Sequence, residues 1–404
     1  MAADPRRLAG AALADALRDA RAATLLRTLD AGDDAWRVAE QPGVNPVAWE
    51  LGHVAWFAEF WILRGPHRRN ADGFVDAARP PAIAGPDAIF DSARLAHADR
   101  WRVALPSRGE LLARLDAQLA ACIDAISDDA DDDDANYFHR LALFHEDMHG
   151  EAFAWLRATL GWPAPAGIGA LPHLGEATEL AFAGGDVVLG RGDDARGFAF
   201  DNERPAATVR VTPFAIDSAP VRNAEFARFV DGGGYDDRAL WPGEAGGWRA
   251  RHGRAHPARW RRTDEGWQMR WFDRWQPLDP AAPVIHVSAW EAEAYCRFVK
   301  RRLPSAAEWE LAAGDARFRW GRSVWEWTAD AFVRYPGFVA GPYADYSAPW
   351  FGDHRELRGG AFATHARLHD PRYRNFFVAD RSDVFAGFRT AALDGHPEHS
   401  GRHS

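Results

Sequence analysis

The sequence predicts a two-part α+β protein: a four-helix bundle over residues 1–165, then an α+β domain with long loops over residues 166–404. Three observations carry that prediction. The chain up to about residue 160 is rich in Ala and Leu and repeats its apolar positions at helical spacing. After "GWPAPAGIGALPHLGEA" the texture changes to Gly, Pro, Trp and short β-type runs. The 19 Trp and 24 Phe supply enough aromatic bulk to order long loops. At 404 residues the chain can bury sizeable cores in two or three domains.

Within the first half, segment 6–30 places Leu13, Leu17, Ala20 and Leu25 on one helical face. In "QPGVNPVAWELGHVAWFAEFWILR", Asn45 can cap and Pro46 suits the first helical position of a helix that runs to about Leu63. Ser107 and Glu110 have capping-box spacing ahead of Leu111, Leu115, Leu119, Cys122 and Ile126. The acidic run "SDDADDDDAN" reads as a solvated loop before a last helix from about Asn136 to Leu160. Helices with one apolar face each predict an up-and-down bundle. In the second half, "DVVLG", "ATVRVTPFAID" and "GWQMRWFD" read as strands. There "NAEFARFVD", "SAWEAEAYCRFVKR" and "SAAEWELAA" read as helices, the last opened by a Ser305–Glu308 capping box. No internal repeat is visible.

The formal net charge of −10 argues against a broad nucleic-acid or anionic-membrane surface. No apolar run approaches a membrane span. The stretch "MAADPRRLAGAALADALRDARAATLL" is interrupted by charges throughout, as in an amphipathic helix and unlike a signal peptide. Two cysteines, Cys122 and Cys296, make no disulfide framework. The expectation is a cytoplasmic protein whose partners are small molecules.

The stretch "LALFHEDMHGEAFAWL" holds His145 and His149 on the stripe Phe138, Leu141, His145, His149, Ala152, Leu156, where a bundle would otherwise place leucine. A spacing of four sets both imidazoles on one face, one turn apart, able to share a metal. His53 has Trp49, Trp56, Phe57 and Phe60 at i−4, i+3, i+4 and i+7, so it also points from an aromatic face into the bundle. A lone inward histidine is most often a hydrogen-bonded core residue. Three of them on facing helices fit the way bundles build metal sites. The H-E-x-x-H match to zinc peptidases fails on context. "GEAFAW" after His149 lacks the glycine and third histidine of one zincin class, and Glu151 is too near to be the downstream ligand of another. Three neutral imidazoles with open positions fit catalytic zinc or non-haem iron, and ligand type alone does not choose between them.

Eight fragments then occur in order: "NPVAWELGHVAWF", "LALFHEDMHGEAF", "GFAFDNERP", "RLPSAAEWELAA", "VWEWTADAFVRYPGF", "LRGGAF", "YRNFF" and "FAGFR". Together they resemble the ergothioneine-synthase type of non-haem iron enzyme over nearly the whole chain. That family joins a DinB-like helical bundle to a domain of the formylglycine-generating-enzyme (sulfatase-modifying-factor, C-type-lectin-like) fold. The resemblance implies an Fe(II) held by His53, His145 and His149, O2 as co-substrate, and hercynine (Nα-trimethylhistidine) as the imidazole that receives a chalcogen. Asn375, Phe376 and Phe377 match the family segment that contacts hercynine, whose quaternary ammonium is best held by aromatic faces and oxygen acceptors. Trp325 and Trp327 read as scaffold rather than cage. Cys296 sits on a helix and packs, so the second domain is expected to wall the site and not to run cysteine chemistry of its own.

Several positions depart from the ergothioneine pattern. Met148 stands where those enzymes carry a glutamine that helps bind hercynine. Phe332 stands where sulfoxide synthases can have a tyrosine that assists the oxygen chemistry, and Tyr335 follows three residues on. The Arg-rich segment that holds the thiol's carboxylate is missing from "ARPPAIAGPDAIFDSARLAHADRW". These departures resemble the sister group of selenoneine synthases, which take a selenosugar and form a C–Se bond. Asp91, Ser92, Arg94 and His97, and also Phe200, Asp201, Asn202 and Glu203, are the candidate contacts to such a sugar. An ergothioneine-type sulfoxide synthase using cysteine or γ-glutamylcysteine is the alternative. Behind it stand another metal-dependent bundle enzyme, such as a thiol transferase, and a non-catalytic ligand-binding protein.

Overall fold

The apolar stripes of the first half close into a bundle. The structure, a computed structural model, describes residues 4–32, 36, 38–127 and 132–393. The bundle helices are α1 (Gly10–Leu26), α2 (Val47–Ala58), α4 (Arg108–Asp124) and α5 (Asp133–Leu160). Between α2 and α4 the chain forms a small antiparallel hairpin of β1 (His67–Arg69) and β2 (Val75–Ala77), and a single helical turn, α3 (Asp87–Phe90). Leu13, Ala16, Leu17 and Ala20 of α1 pack with Leu143 of α5. Helix α2 is buried at every residue, because α4 and α5 cover one side and the second domain covers another. It continues without a break into a π-turn over Glu59–Leu63, whose Glu59 carboxylate accepts the backbone N–H groups of Ala82, Ile83 and Ala84.

The caps follow the sequence in part. Ser107 and Glu110 form the capping box of α4, and Gly161 ends α5 in a left-handed turn. Asn45 does not cap α2. The helix starts after Pro46 with no side-chain cap, and the Asn45 amide instead lies between Glu50 and Arg100. Residues 128–131 of the acidic run lie outside the described residues.

The second half carries β3 (Glu179–Phe182), β4 (Gly185–Leu189), β5 (Ala207–Val211), β6 (Phe214–Asp217), α6 (Asn223–Asp231) and α7 (Glu244–His252). Then come β7 (Trp260–Thr263), β8 (Gly266–Trp271), β9 (Arg274–Pro277), α8 (Ala289–Phe298), β10 (Arg301–Arg302) and α9 (Ala306–Ala312). The last strands are β11 (Trp325–Ala331), β12 (Arg355–Gly359), β13 (Asn375–Phe377), β14 (Ala386–Gly387) and β15 (Ala391–Ala392). Two four-stranded sheets dominate, ordered β10-β15-β6-β3 and β13-β12-β11-β14, with β14 parallel to β11. Ser305 and Glu308 form the expected capping box of α9. The loops between these strands are long and ordered by aromatic packing, as the Trp and Phe content implies. This is the α+β two-part architecture that the sequence predicts.

One apolar core runs through both halves: Trp49, Phe57 and Phe144 of the bundle share it with Trp325, Trp327 and Phe385 of the second domain. Polar contacts pin the seam. Arg6 pairs with Glu203 at 2.7 Å, Arg367 pairs with Asp147 at 2.8 Å, and Trp325 donates its indole N–H to Glu151 at 2.8 Å. Trp327 donates to the Val287 carbonyl, so both tryptophans are scaffold. Burial pushes the Glu151 carboxyl up to about 7, against the pull of its Thr364 and Trp325 hydrogen bonds. Cys122 and Cys296 are both buried and free, and burial pushes the Cys122 thiol up to about 12.

Candidate metal centre

Helices α2 and α5 face each other and bring His53, His145 and His149 together. One ring nitrogen of each lies within 4.8 Å of the others. An ion bound at about 2.0–2.1 Å by three imidazoles holds their nitrogens roughly 3–4 Å apart, so small ring movements complete the set. Two of the three tautomers are fixed from behind. His53 Nδ1 donates to the Phe90 carbonyl at 2.8 Å, and His149 Nδ1 donates to Glu50 Oε1 at 2.7 Å. Both therefore turn Nε2 inward, the arrangement that orients metal-binding histidines. Gly52 makes the His53 contact possible, since a Cβ there would lie 2.2 Å from the Phe90 ring. His145 is oriented by packing, stacked on Phe57 at 3.6 Å and 5°. Burial is the main cause that holds His53 and His145 well below the usual histidine pKa, with the neighbouring histidines adding to it. All of this fits a divalent metal bound by neutral imidazole.

The triad lies in a cavity with two lobes, of about 830 and 560 Å³, that share His145, His149, Arg100, Tyr343, Tyr346 and Arg381. Both halves of the chain build it. The larger lobe is walled by aromatic faces, including Trp350, Phe376 and Phe377, and by the carboxylates of Asp72, Asp91 and Asp345. The smaller lobe is walled by Met148, Trp155 and the two arginines. Arg381 is paired with Asp383 and lies over the Phe377 ring at 4.5 Å. Arg100 has no carboxylate partner among the described residues. Its guanidinium lies over Trp49 at 4.1 Å and donates to Asn45 Oδ1 at 2.7 Å. Burial, opposed by the charge of Glu50, pulls it below the ordinary arginine range.

The residues singled out from the sequence fall into two groups. His53, His145, His149, Asp91, Ser92, Phe376, Phe377, Met148 and His97 all border the cavity. Asp91 is largely engaged by the Ala93 N–H and by Arg94, while the Met148 sulfur accepts from the Tyr373 hydroxyl at 3.2 Å. Asn375, Arg94, Tyr335 and Phe332 stand outside both lobes. Asn375 accepts from the Phe376 N–H, and Arg94 bridges Asp91 and Asp76. Tyr335 and Phe332 are drawn to a cluster of arginines. The Tyr335 hydroxyl accepts from Arg358 at 3.2 Å, and the Arg374 guanidinium lies over both rings. The tyrosine beside the triad is Tyr343, its ring 6.3 Å from that of His145. In "GFAFDNE", Glu203 pairs with Arg6, and Asp201 accepts from the Gly341 N–H and from Ser347. That segment braces loops and lines neither lobe.

Sequence reasoning missed Glu50, Arg100, Tyr343 and Arg381. Glu50 carried a signal, because it lies three residues before His53 on the same aromatic helix. Arg100 lies in a short 3-10 turn, His97–Trp101, and Tyr343 and Arg381 lie in loops, all without periodicity.

Among the described residues no helix is long and apolar enough to cross a membrane. The fold and the site define a fused chain in which a bundle presents three converging imidazoles and a second domain walls them in. Family comparison matches the DinB superfamily over residues 16–156 and the sulfatase-modifying factor enzyme 1-like domain over residues 172–323. The hercynine oxygenase of Mycolicibacterium thermoresistibile is 32% identical over 94% of this chain and 94% of its own length. That of Mycobacterium tuberculosis is 32% identical over 94% of this chain and 98% of its own. The formylglycine-generating enzyme of Thermomonospora curvata is 30% identical but covers only 53% of this chain. The chain belongs to the hercynine oxygenase family.

Proposed function

We propose that this protein is an iron(II)- and O2-dependent oxidoreductase that joins a chalcogen to the imidazole carbon of hercynine, with a selenosugar as the selenium donor. The observation that carries the reading is the set of three converging imidazoles bordering a cavity built by both domains. Relatives that match over almost the whole chain bear the name hercynine oxygenase, which supports the substrate.

The chain's own groups suit the parts of hercynine. Its trimethylammonium offers no N–H, so the rings of Phe376, Phe377 and Trp350, with the nearby carboxylates of Asp72 and Asp345, are the complementary surface. Its carboxylate matches Arg100, a half-buried cation bordering the cavity without an ion-pair partner among the described residues. Tyr343 is the hydroxyl-bearing side chain beside the triad, in position to give or hold a proton at the reacting atoms. Iron(II), when bound by the three imidazoles, supplies the one-electron chemistry that lets O2 react with closed-shell substrates. The aromatic walls exclude bulk water and hold both organic substrates at close range.

The departures at Met148 and in the "ARPPAIAGPDAIFDSARLAHADRW" stretch support the selenosugar. One observation favours sulfur instead: if hercynine leaves Arg100 free, that cation can hold the carboxylate of cysteine or γ-glutamylcysteine. The test is aerobic turnover of iron(II)-loaded protein with hercynine and, in parallel, a selenosugar, cysteine or γ-glutamylcysteine, read by mass spectrometry. A selenium-containing imidazole product from the selenosugar alone is expected. A sulfoxide from a thiol moves the protein to the sulfur branch. No product and no bound iron leaves a ligand-binding protein.

A further inference from the structure

Further open space lies along α5. It begins in a cavity of about 630 Å³, separate from the two lobes, bordered by Tyr137, Phe138, Asp201, Gly341 and, at its rim, Val339. Val339 is 80% exposed, so this cavity meets solvent. Beside it lies a void of about 10 Å³ between Tyr137, Leu141, Phe200, Asp201, Gly341, Tyr343 and Tyr346. The void shares Tyr137, Asp201 and Gly341 with the outer cavity, and shares Tyr343 and Tyr346 with both lobes at the triad. Tyr137, Leu141 and His145 are successive turns of α5, so the line covers about 12 Å at 1.5 Å per residue.

The throat is built to stay narrow and apolar. Asp201 accepts the Gly341 N–H at 3.2 Å with one carboxylate oxygen and the Ser347 hydroxyl with the other. It thereby ties down both ends of the segment that carries Tyr343 and Tyr346. The Tyr346 hydroxyl is engaged by Tyr373 and Met148. With those polar atoms occupied, the surfaces left to a passing molecule are mainly aromatic faces and Leu141. A void of this size holds about one water-sized probe, too small for an imidazole or a sugar but wide enough for a diatomic gas.

We propose that this line is a second entrance to the triad that admits dioxygen while the larger substrates fill the two lobes. The assignment rests on the O2-dependent function proposed above. Dioxygen is neutral and apolar, so it loses nothing on leaving water for aromatic walls, whereas an ion or a sugar would pay its full desolvation there.

Two measurements test it. Crystals pressurised with xenon, an apolar probe, are expected to show xenon in the void or where it meets the outer cavity. Xenon elsewhere in the protein but nowhere between Tyr137 and Tyr343 would overturn the passage. The second is steady-state kinetics of Gly341→Val. A Cβ at Gly341 already lies 3.3 Å from Asp201 Cβ and 3.6 Å from the Tyr137 hydroxyl, so the extra methyls enter the throat. The KM for O2 is expected to rise several-fold, with iron content and the KM for hercynine unchanged. Leu141→Phe plugs the opposite wall and serves if Gly341→Val does not fold. An unchanged KM for O2 in a folded plug variant sinks the passage alone. Xenon in the void of a protein that consumes no O2 with any donor removes the dioxygen assignment together with the proposed function.

Discussion

Two buried polar clusters, one in each half of the molecule, use similar groups and end in opposite states. In the second domain, Glu356 faces Arg358 at 2.7 Å and Arg374 at 2.6 Å, and Arg358 also reaches Glu310 at 3.0 Å. Each charge meets an opposite charge, and Tyr335 is absorbed as one more acceptor. In the bundle, His53, His145 and His149 converge with no carboxylate among them. The carboxylate of Glu50 stands behind His149 on Nδ1. The first cluster closes on itself and holds loops together. The second keeps its inward nitrogens free, which a structure built only for stability would not do. Open valence at convergent groups separates the functional cluster from the structural one.

Breaking each cluster should give opposite phenotypes. His145→Ala is expected to abolish iron binding and bring turnover to background while the circular dichroism spectrum is kept; elemental analysis of the purified variant decides, and full iron content would end the triad assignment. Glu356→Ala leaves Arg374 buried without a carboxylate and Arg358 with Glu310 alone, and is expected to destabilise the fold by about 3–5 kcal/mol in urea unfolding. The same variant, where folded, should still bind iron.

A finer contrast lies behind the metal ligands. Glu50→Gln keeps an acceptor on His149 but removes the charge, and is expected to weaken metal affinity about 10- to 100-fold, measured by competition with a chelator. The buried histidines of both halves also respond to acid. Burial keeps His53 and His145 neutral, and His286 of the second domain is held low by burial and by the charge of Arg259. Below the ordinary histidine pKa of about 6.5, the unfolded chain takes up protons that the folded chain refuses. Stability of the metal-free protein should therefore fall as pH drops below that point, by about 1.4 kcal/mol per unit for each such histidine. Unfolding curves at neutral and mildly acid pH would show it, and a flat profile would mean these rings are charged and paired. The smallest expected effect is Tyr335→Phe, which should lower stability by about 1 kcal/mol and leave turnover intact. Tyr343→Phe should reduce kcat at unchanged iron content.

Much of the fold and the convergence of the three histidines was legible before any tertiary structure. Helical periodicity is a local property, so α1, α2, α4 and α5 and the capping boxes at Ser107 and Ser305 follow from residue spacing alone. The same spacing forces His145 and His149 onto one face, and the aromatic neighbours of His53 turn it inward. The α+β texture of the second half follows equally from its short β-type runs and capped helices. The loops are another matter. Nothing periodic places Tyr343 beside His145, Arg100 over Trp49, or Tyr335 among arginines far from the cavity. Asn45 has the chemistry of a cap, yet it is claimed by Arg100 from fifty-five residues away. Those placements are decided by contacts between the two halves, because a long loop adopts whatever path lets its aromatic rings and buried charges find partners. The sequence by itself thus determined the face that carries the three histidines, and only the tertiary structure decided which side chains surround it.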